Sequence, residues 1–256
     1  MARLEIEQIP VLSDNYVWLV HEPEADVTGA VDPAVAEPVL ARLEEKGWKL
    51  GWILTTHHHA DHTGGNLELK RATGCRIAGP KKDATRIPGI DVGLAEGDRF
   101  ELGRLVAEVL ETPGHTSGHI SYWLPEASTL FCADTLFSLG CGRLLEGTPA
   151  QMWTSLSKLA KLPDDAQVCC GHEYTQSNAR FALSIEPDNK ALRKRAEEVD
   201  RQRAAGQPTV PTTLGEERAA NPFLRPDDPA IRRRLGMEKA SDVEVFAEIR
   251  RRKDSF

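Results

Sequence analysis

The chain has 256 residues, of which 40% are apolar and 28% charged, and a formal net charge of −7 at pH 7. This length can bury a large core, and the composition excludes collagen-like, low-complexity and disordered classes. The acidic balance argues against a nucleic-acid partner, because phosphate binding favours a basic domain or face. The start lacks a signal-peptide core and no stretch approaches the ~18 apolar residues of a membrane span, so we expect a cytoplasmic protein with no membrane partner.

The number and spacing of the cysteines are consistent with a cytoplasmic location. There are five of them, an odd number, and no two form a CxxC pair. This pattern fits a reducing environment better than a disulfide framework, and predicts buried thiols.

The first part of the chain alternates short strand patterns with a few helices. In chain order the predicted elements are strands at residues 4–6 and 16–20, a helix at 34–46, a strand at 50–55, a helix at 66–72, a strand at 76–78, hairpins at 99–111 and 120–133, a helix from Thr148 and a strand at 168–170. These assignments depend on the periodicity of apolar residues and on glycine and proline residues that mark turns and the ends of elements. They predict a strand-rich α/β domain.

The amino-acid composition and the predicted secondary structure change after Tyr174. Helices rich in arginine and glutamate are predicted at 191–205 and 242–252, on either side of a proline-bearing segment at 207–228. We therefore predict two domains: an α/β domain at residues 1–174 and a smaller helical domain at residues 175–256.

The stretch THHHADHTGG, residues 56–65, holds four of the eight histidines and follows the predicted strand at 50–55. Alternate side chains of an extended segment share a face, so His57, His59 and Asp61 can converge while His58 points away. His62 begins the turn into the next helix. Imidazole and carboxylate are ligands that zinc, iron and manganese accept, so this loop predicts a metal site.

Three further strand ends carry a potential ligand beside a glycine or small-residue turn. They are His115 in ETPGHTSGH, Asp134 in FCADT and His172 in CCGHEY. The carboxyl ends of strands in layered α/β folds are where binding residues collect. Seven candidate ligands exceed the four of a closed structural zinc site, which favours catalysis over a purely structural or metal-storing module.

The motifs THHHADHTGG, PGHTSGH, CADTLF and GHEYT resemble those of the metallo-β-lactamase superfamily. The segments CGRLLEGTPAQM and RRRKD extend the resemblance, over nearly the whole chain, to the hydroxyacylglutathione hydrolases, or glyoxalases II. The resemblance implies an αββα sandwich with a helical carboxyl-terminal domain. It also implies that His57, His59 and His115 bind one divalent ion, that Asp61, His62 and His172 bind a second, and that Asp134 bridges both.

The same resemblance implies a substrate and a set of contacts. Asp61 and Asp134 are the implied catalytic carboxylates, and zinc is the expected metal, with iron and manganese as alternatives. Arg143, Tyr174, Arg250 and Lys253 match the positions that hold the glutathione moiety. Some family members have a tyrosine where this chain has Leu145, so one hydroxyl contact to the peptide is absent.

Two divalent ions that share one water can lower its pKa and present it as hydroxide, so such a site hydrolyses its substrate. The thiolate released from a thioester leaves without prior protonation, because its conjugate thiol has a pKa near ~8.5. The expected reaction converts S-(2-hydroxyacyl)glutathione, typically S-D-lactoylglutathione, to glutathione and a 2-hydroxy acid, in methylglyoxal detoxification. We expect a monomer.

The alternative within the superfamily is an iron-dependent persulfide dioxygenase of glutathione. Those enzymes use one metal and usually lack the helical tail, so residues 175–256 favour the hydrolase. A nuclease of the same superfamily is disfavoured by the acidic charge.

Overall fold

The computed structural model describes residues 4–256, and the chain forms two compact units. The first unit holds the described residues up to Glu111 and the segment Ser117–Ala133, and the second holds Thr112–Thr116 and Asp134–Phe256. The assignment of separate domains to residues 1–174 and 175–256 stays a prediction. Among the described helices, none is long and apolar enough to cross a membrane.

A six-stranded sheet forms the first part of the first unit, with its strands in chain order across the sheet. These strands are β1 (Glu5–Val11), β2 (Asn15–Glu22), β3 (Val27–Val31), β4 (Leu50–Leu54), β5 (Arg76–Pro80) and β6 (Val92–Leu94). The pairs β1–β2 and β2–β3 are antiparallel. The pairs from β3 to β6 are parallel. The carboxyl ends of β3 and β4 therefore lie at the same edge of the sheet.

Three helices belong to the same unit. They are α1 (Glu37–Lys46), α2 (Ala60–Thr63) and α3 (Asn66–Thr73). Leu43 of α1 and Leu69 of α3 join Ile53 and Ile77 of the sheet in one hydrophobic cluster, and burying each such side chain contributes about 1.5–3 kcal/mol. The helix predicted at 34–46 begins three residues later, because Pro38 lacks an N–H and is tolerated only in the first turn.

A second set of strands in this unit pairs in the order β10-β9-β8-β7. Their bounds are β7 (Arg99–Leu102), β8 (Leu105–Glu111), β9 (Ile120–Leu124) and β10 (Thr129–Ala133). Aromatic contacts join them to the first sheet. The rings of Trp52 and Phe100 meet edge to face at 4.9 Å, and those of Trp18 and Phe131 lie 6.4 Å apart. Both hairpins predicted from the sequence are present.

The second unit consists mainly of helices. Its strands are β11 (Leu136–Phe137), β12 (Gly140–Cys141), β13 (Gln167–Cys170) and β14 (Thr212–Thr213), and its helices are α4 (Pro149–Leu159), α5 (Thr175–Ile185), α6 (Lys190–Ala204), α7 (Leu214–Ala220), α8 (Pro229–Leu235) and α9 (Asp242–Asp254). Thr148 and Gln151 form a capping box at the start of α4, where the sequence predicted a helix start. Helix α5 was not predicted, and α7 lies within the segment that the sequence assigned to a proline-bearing connection.

A buried carboxylate organises the turn between β11 and β12. Glu217 of α7 accepts hydrogen bonds from the Ser138 hydroxyl at 2.9 Å and from the Leu139 backbone N–H at 2.7 Å. Asn221 donates to the same side chain at 3.0 Å. Burial raises the pKa of Glu217, although these donors favour its ionised form. A helix from the carboxyl-terminal third thus fixes the segment that follows Asp134.

Candidate active site

The histidine loop of the first unit follows β4 at the carboxyl edge of the parallel strands. The chain leaves β4 at Leu54 and enters α2 at Ala60, so residues 55–59 form a short, largely buried connection. Asp32 directly follows β3 and has a positive φ of 50°, a conformation that is uncommon outside glycine but tolerated by aspartate. The two strand ends therefore present their polar side chains at one place.

Asp32 fixes this loop through three hydrogen bonds. Its carboxylate accepts the Thr56 backbone N–H at 2.7 Å and the Thr56 hydroxyl at 2.6 Å. Nδ1 of His62 lies 3.1 Å from the Oδ2 atom of Asp32. A carboxylate on one ring nitrogen orients the imidazole and directs the other nitrogen towards a metal.

The imidazoles of the loop converge as the sequence predicted. Nε2 of His57 lies 3.1 Å from Nδ1 of His59, and the rings of His57 and His62 are 4.2 Å apart. His58 points elsewhere, because its Nδ1 lies 3.1 Å from the Asp83 carboxylate. Asp61 lies in the first turn of α2, with Oδ2 at 3.6 Å from Nε2 of His62.

One residue of this neighbourhood, Asp32, was missed by the sequence reasoning. Asp32 offers an oxygen that lies, with ligand atoms of His57 and His62, in a group within 4.8 Å of one another. Its position after a buried strand was the available signal, the same one that drew attention to Asp134. His119 stacks on His57 at 4.9 Å. The imidazole and carboxylate donors of this unit fit zinc, iron or manganese.

The second unit places three predicted ligands together. Oδ2 of Asp134 lies 3.3 Å from Nε2 of His115 and 3.4 Å from Nε2 of His172. All three side chains are buried. Each follows a strand, namely β8, β10 and β13, so three distant parts of the sequence supply this cluster.

The hydrogen bonding of His115 shows what the cluster can bind. Its Nδ1 lies 2.9 Å from the backbone oxygen of Arg143, and a carbonyl oxygen can only accept, so Nδ1 carries a proton. In the neutral ring, Nε2 then presents a lone pair towards the Asp134 carboxylate. Lone pairs directed at an anion favour a cation between them, so this donor set fits a divalent metal.

A cavity of about 470 Å³ opens beside these ligands within the second unit. It is lined by the four residues predicted to hold the substrate, Arg143, Tyr174, Arg250 and Lys253, together with His115 and Asp134. The ring of Tyr174 stacks on His172 at 4.7 Å with an interplanar angle of 4°. The predicted substrate residues of this unit therefore lie beside its predicted metal ligands.

The loop that carries Arg143 requires a glycine and a buried arginine. A Cβ atom on Gly142 would lie 1.9 Å from the backbone oxygen of Asp134, so only glycine fits there. Arg250 of α9 donates to the Cys141 backbone oxygen at 2.9 Å and pairs with Asp254 at 2.8 Å. Burial raises the pKa of the Cys141 thiol to about 11, so it is an un-ionised packing group at neutral pH.

Of the two α9 cations that line the cavity, Lys253 is more accessible than Arg250. Its Nζ donates to the Ser177 hydroxyl at 3.3 Å and lies 5.3 Å from the ring centre of Phe181. Burial, with repulsion from Arg250, Arg180 and Arg143, lowers its pKa to about 8. This concentration of positive charge favours an anionic ligand.

The sequence reasoning also missed two polar residues of the cavity. Ser177 and Asn178 of α5 line it, and Asn178 donates to the Ser138 backbone oxygen at 3.1 Å. They lie three and four residues after Tyr174, at the spacing that places helix residues on one face. Recognising α5 in the sequence would have found them.

Comparisons with known proteins agree with the motifs. Residues 26–172 match the model of the metallo-β-lactamase superfamily, and residues 173–256 match that of the hydroxyacylglutathione hydrolase carboxyl terminus. The chain belongs to the hydroxyacylglutathione hydrolase family of this superfamily. Membership confirms the predicted fold class, an αββα sandwich with a helical carboxyl-terminal domain.

Full-length relatives and solved structures support the assignment. A hydroxyacylglutathione hydrolase from Methylococcus capsulatus is 60% identical over 99% of each chain, and one from Maricaulis maris is 55% identical over 100% of each. Among solved structures, ETHE1 from Myxococcus xanthus is 26% identical, with a TM-score of 0.70 over 96% of this chain and 90% of its own. The di-iron-bound form of TTHA1623, also 26% identical, has a TM-score of 0.62 over 84% of this chain and 98% of its own.

Proposed function

We propose that the protein hydrolyses S-(2-hydroxyacyl)glutathione, typically S-D-lactoylglutathione, to glutathione and a 2-hydroxy acid, and so acts in methylglyoxal detoxification. The observation that carries this proposal is the full-length identity of 53–60% to relatives named hydroxyacylglutathione hydrolase. The cation-lined cavity beside His115 and Asp134 supports it independently, because glutathione carries two carboxylates. The match of residues 173–256 favours the hydrolase over the persulfide dioxygenase.

The proposed metal ligands are the seven residues expected from the sequence. They are His57, His59, Asp61, His62, His115, Asp134 and His172. We propose that they hold two divalent ions, preferably zinc, with Asp134 shared between them. When bound, the ions would supply Lewis acidity and lower the pKa of a water.

The protein's own groups would orient the reactants. The Asp32 carboxylate holds the His62 ring at 3.1 Å, and the Arg143 carbonyl fixes the His115 tautomer at 2.9 Å. Asp61 and Asp134 are the carboxylates proposed to face the reacting water. A thiolate leaving group needs no proton from the protein, since its conjugate thiol has a pKa near ~8.5.

The proposed substrate contacts divide into two kinds. Lys253 and Arg143 are the cations available to the glutathione carboxylates, with Tyr174 along the cavity wall. Arg250 is only 4% exposed, and its guanidinium is engaged by Cys141 and Asp254. Its contribution to binding is therefore proposed to come mainly from its positive charge and from holding the Cys141 carbonyl.

Hydrolysis of S-D-lactoylglutathione by the purified protein tests this function. We expect turnover under strict exclusion of oxygen, loss of turnover with a strong chelator, and recovery when zinc is added back. The Asp134→Ala variant is the control for contaminating thioesterases and should be inactive at equal protein concentration. Activity that required oxygen, with consumption of glutathione persulfide, would establish the dioxygenase instead.

The metal content, oligomeric state and location belong to the same proposal. Elemental analysis should approach two metals per chain, and one metal at saturation would exclude the binuclear assignment. We propose a monomer, which sedimentation at several concentrations would test. All five cysteines are buried and none forms a disulfide within the described residues, which supports a reducing compartment such as the cytoplasm.

A further inference from the structure

The start of strand β2 contacts the metal loop of the same unit through one side chain. Asn15 follows the β1–β2 turn and pairs across the sheet with Val11. It is only 5% exposed, so its amide needs partners inside the protein. Both of its recorded partners belong to Asp61, 46 residues away.

The contact is double. Nδ2 of Asn15 donates to the backbone oxygen of Asp61 and to its carboxylate Oδ2 atom, each at 3.1 Å. An NH₂ group has two hydrogens, so both bonds can form together. The first bond holds the backbone of α2, and the second limits the rotation of the Asp61 side chain.

The geometry points to Asn15 as a positioning residue for Asp61, an inference that rests on the proposed role of Asp61 as a metal ligand. The Asp61 side chain is 43% exposed, so packing encloses little more than half of it and a hydrogen bond can limit its rotation. If a coordinating side chain must become ordered when the metal binds, the metal affinity is lower. Residues that hydrogen-bond to coordinating side chains and so order them typically change metal affinity by about 10- to 100-fold. Asn15 supplies that order in advance from a strand that is buried throughout.

A purely structural alternative predicts different behaviour. If only the bond to the backbone oxygen matters, loss of the amide disturbs the whole loop, including His57 and His59. If the bond to the carboxylate matters, the loss acts through Asp61 alone. A double-mutant cycle between Asn15 and Asp61 separates these cases.

The test measures zinc affinity by competition with a chelator for the wild type, Asn15→Leu, Asp61→Ala and the double variant. Leucine approximates the shape of asparagine without the donor. We expect Asn15→Leu to weaken the more weakly bound zinc by about tenfold and to leave the tighter one within about twofold. In the Asp61→Ala background, Asn15→Leu should change the remaining zinc by less than about twofold.

Ser13→Ala serves as the matched control, because Ser13 is exposed on the same turn and its hydroxyl donates to Asp14 at 3.1 Å. Thermal unfolding of the metal-free proteins reports the backbone bond separately, because Asn15→Leu should still lower the midpoint in the Asp61→Ala background, where only that bond remains. Equal loss of zinc affinity in both backgrounds would overturn the inference. Because zinc binding is the readout, a protein that binds zinc without hydrolysing the thioester would refute the proposed function and leave this inference testable.

Discussion

The two units assemble their imidazole clusters in different ways. In the first unit, four histidines and an aspartate lie within residues 57–62, directly after one strand. In the second unit, His115, Asp134 and His172 come from three strand ends that span almost sixty residues. The first cluster is thus local in sequence, and the second depends on packing. Substitutions on the local loop should therefore separate cleanly into those that affect the metal and those that do not.

The largest expected effect separates two neighbouring histidines of the local loop. His59→Ala should lower kcat by more than about 100-fold, because a ligand contributes more than the 10- to 100-fold typical of an outer partner. His58→Ala is the matched control, since His58 bonds to Asp83 and points away from His57. Steady-state kinetics with metal content measured on each variant would check this. Equal losses in both variants would show that the loop acts only as a folded unit.

The next largest effect concerns Asp32, which follows β3 and contacts the same loop through hydrogen bonds. Asp32→Asn keeps the shape but removes the charge that orients His62, so metal affinity should fall by about 10- to 100-fold. Asp91→Asn is the control, because Asp91 accepts a backbone N–H from Ile77 in the same sheet but contacts no histidine. Chelator competition would measure both. A similar loss of affinity in Asp91→Asn would mean that sheet stability, not orientation of His62, sets metal binding.

The sequence predicted the local cluster of the first unit better than the cluster of the second unit, whose residues are distant in sequence. The local cluster was predictable because a strand followed by closely spaced histidines depends only on β periodicity and ligand chemistry. His115, Asp134 and His172 were each ambiguous from local pattern, and only the family resemblance assigned them to one site. Asp32 offered only its position after a buried strand and Asn15 offered no signal, because their roles arise from hydrogen bonds across 24 and 46 positions of sequence.

The elements of the fold were likewise predicted only in part from the sequence. The alternating strand β8 and the fully buried strand β9 were both predicted within a residue or two of their observed bounds. Helix α5 was missed, although it begins directly after Tyr174 and supplies Ser177 and Asn178 to the cavity. The buried role of Arg250 was also hidden, since an arginine in a basic run is normally expected in solvent.

A smaller effect distinguishes the two cations of α9 that line the cavity of the second unit, Arg250 and Lys253. Lys253→Ala should raise KM about tenfold with kcat nearly unchanged, because a distant carboxylate is held equally in ground and transition states. This figure is the lower end for a charged hydrogen bond, reduced because Lys253 is partly exposed. Arg250→Ala should in addition lower the unfolding midpoint, since Arg250 is buried against Cys141.

The same lysine predicts a pH dependence. Its pKa is lowered to about 8 in the free protein, so Nζ is protonated below that pH and increasingly neutral above it. An anionic ligand stabilises the protonated form, so affinity should weaken as the pH rises above 8, by about tenfold in total, the loss expected for Lys253→Ala. Calorimetric titration with an inert S-alkyl glutathione would measure this. In the Lys253→Arg variant residue 253 stays charged above pH 8, so the part of the pH dependence that comes from the lysine should disappear. Any pH dependence that comes from titration of the ligand should remain. Identical curves of affinity against pH for the wild type and Lys253→Arg would contradict the prediction.

The smallest effect concerns a hydroxyl contact that, by the family resemblance, this chain is expected to lack. Leu145 is 60% exposed and follows Arg143 of the cavity by two residues, at the position where some family members have a tyrosine. Leu145→Tyr should lower KM about two- to tenfold, the range of one neutral hydrogen bond of about 0.5–1.5 kcal/mol. Leu145→Phe supplies the ring without the hydroxyl, so the difference between the two variants isolates the polar contact. If phenylalanine lowers KM as much as tyrosine, the gain comes from apolar burial alone, and the proposed hydroxyl contact to the glutathione peptide has no place in this cavity.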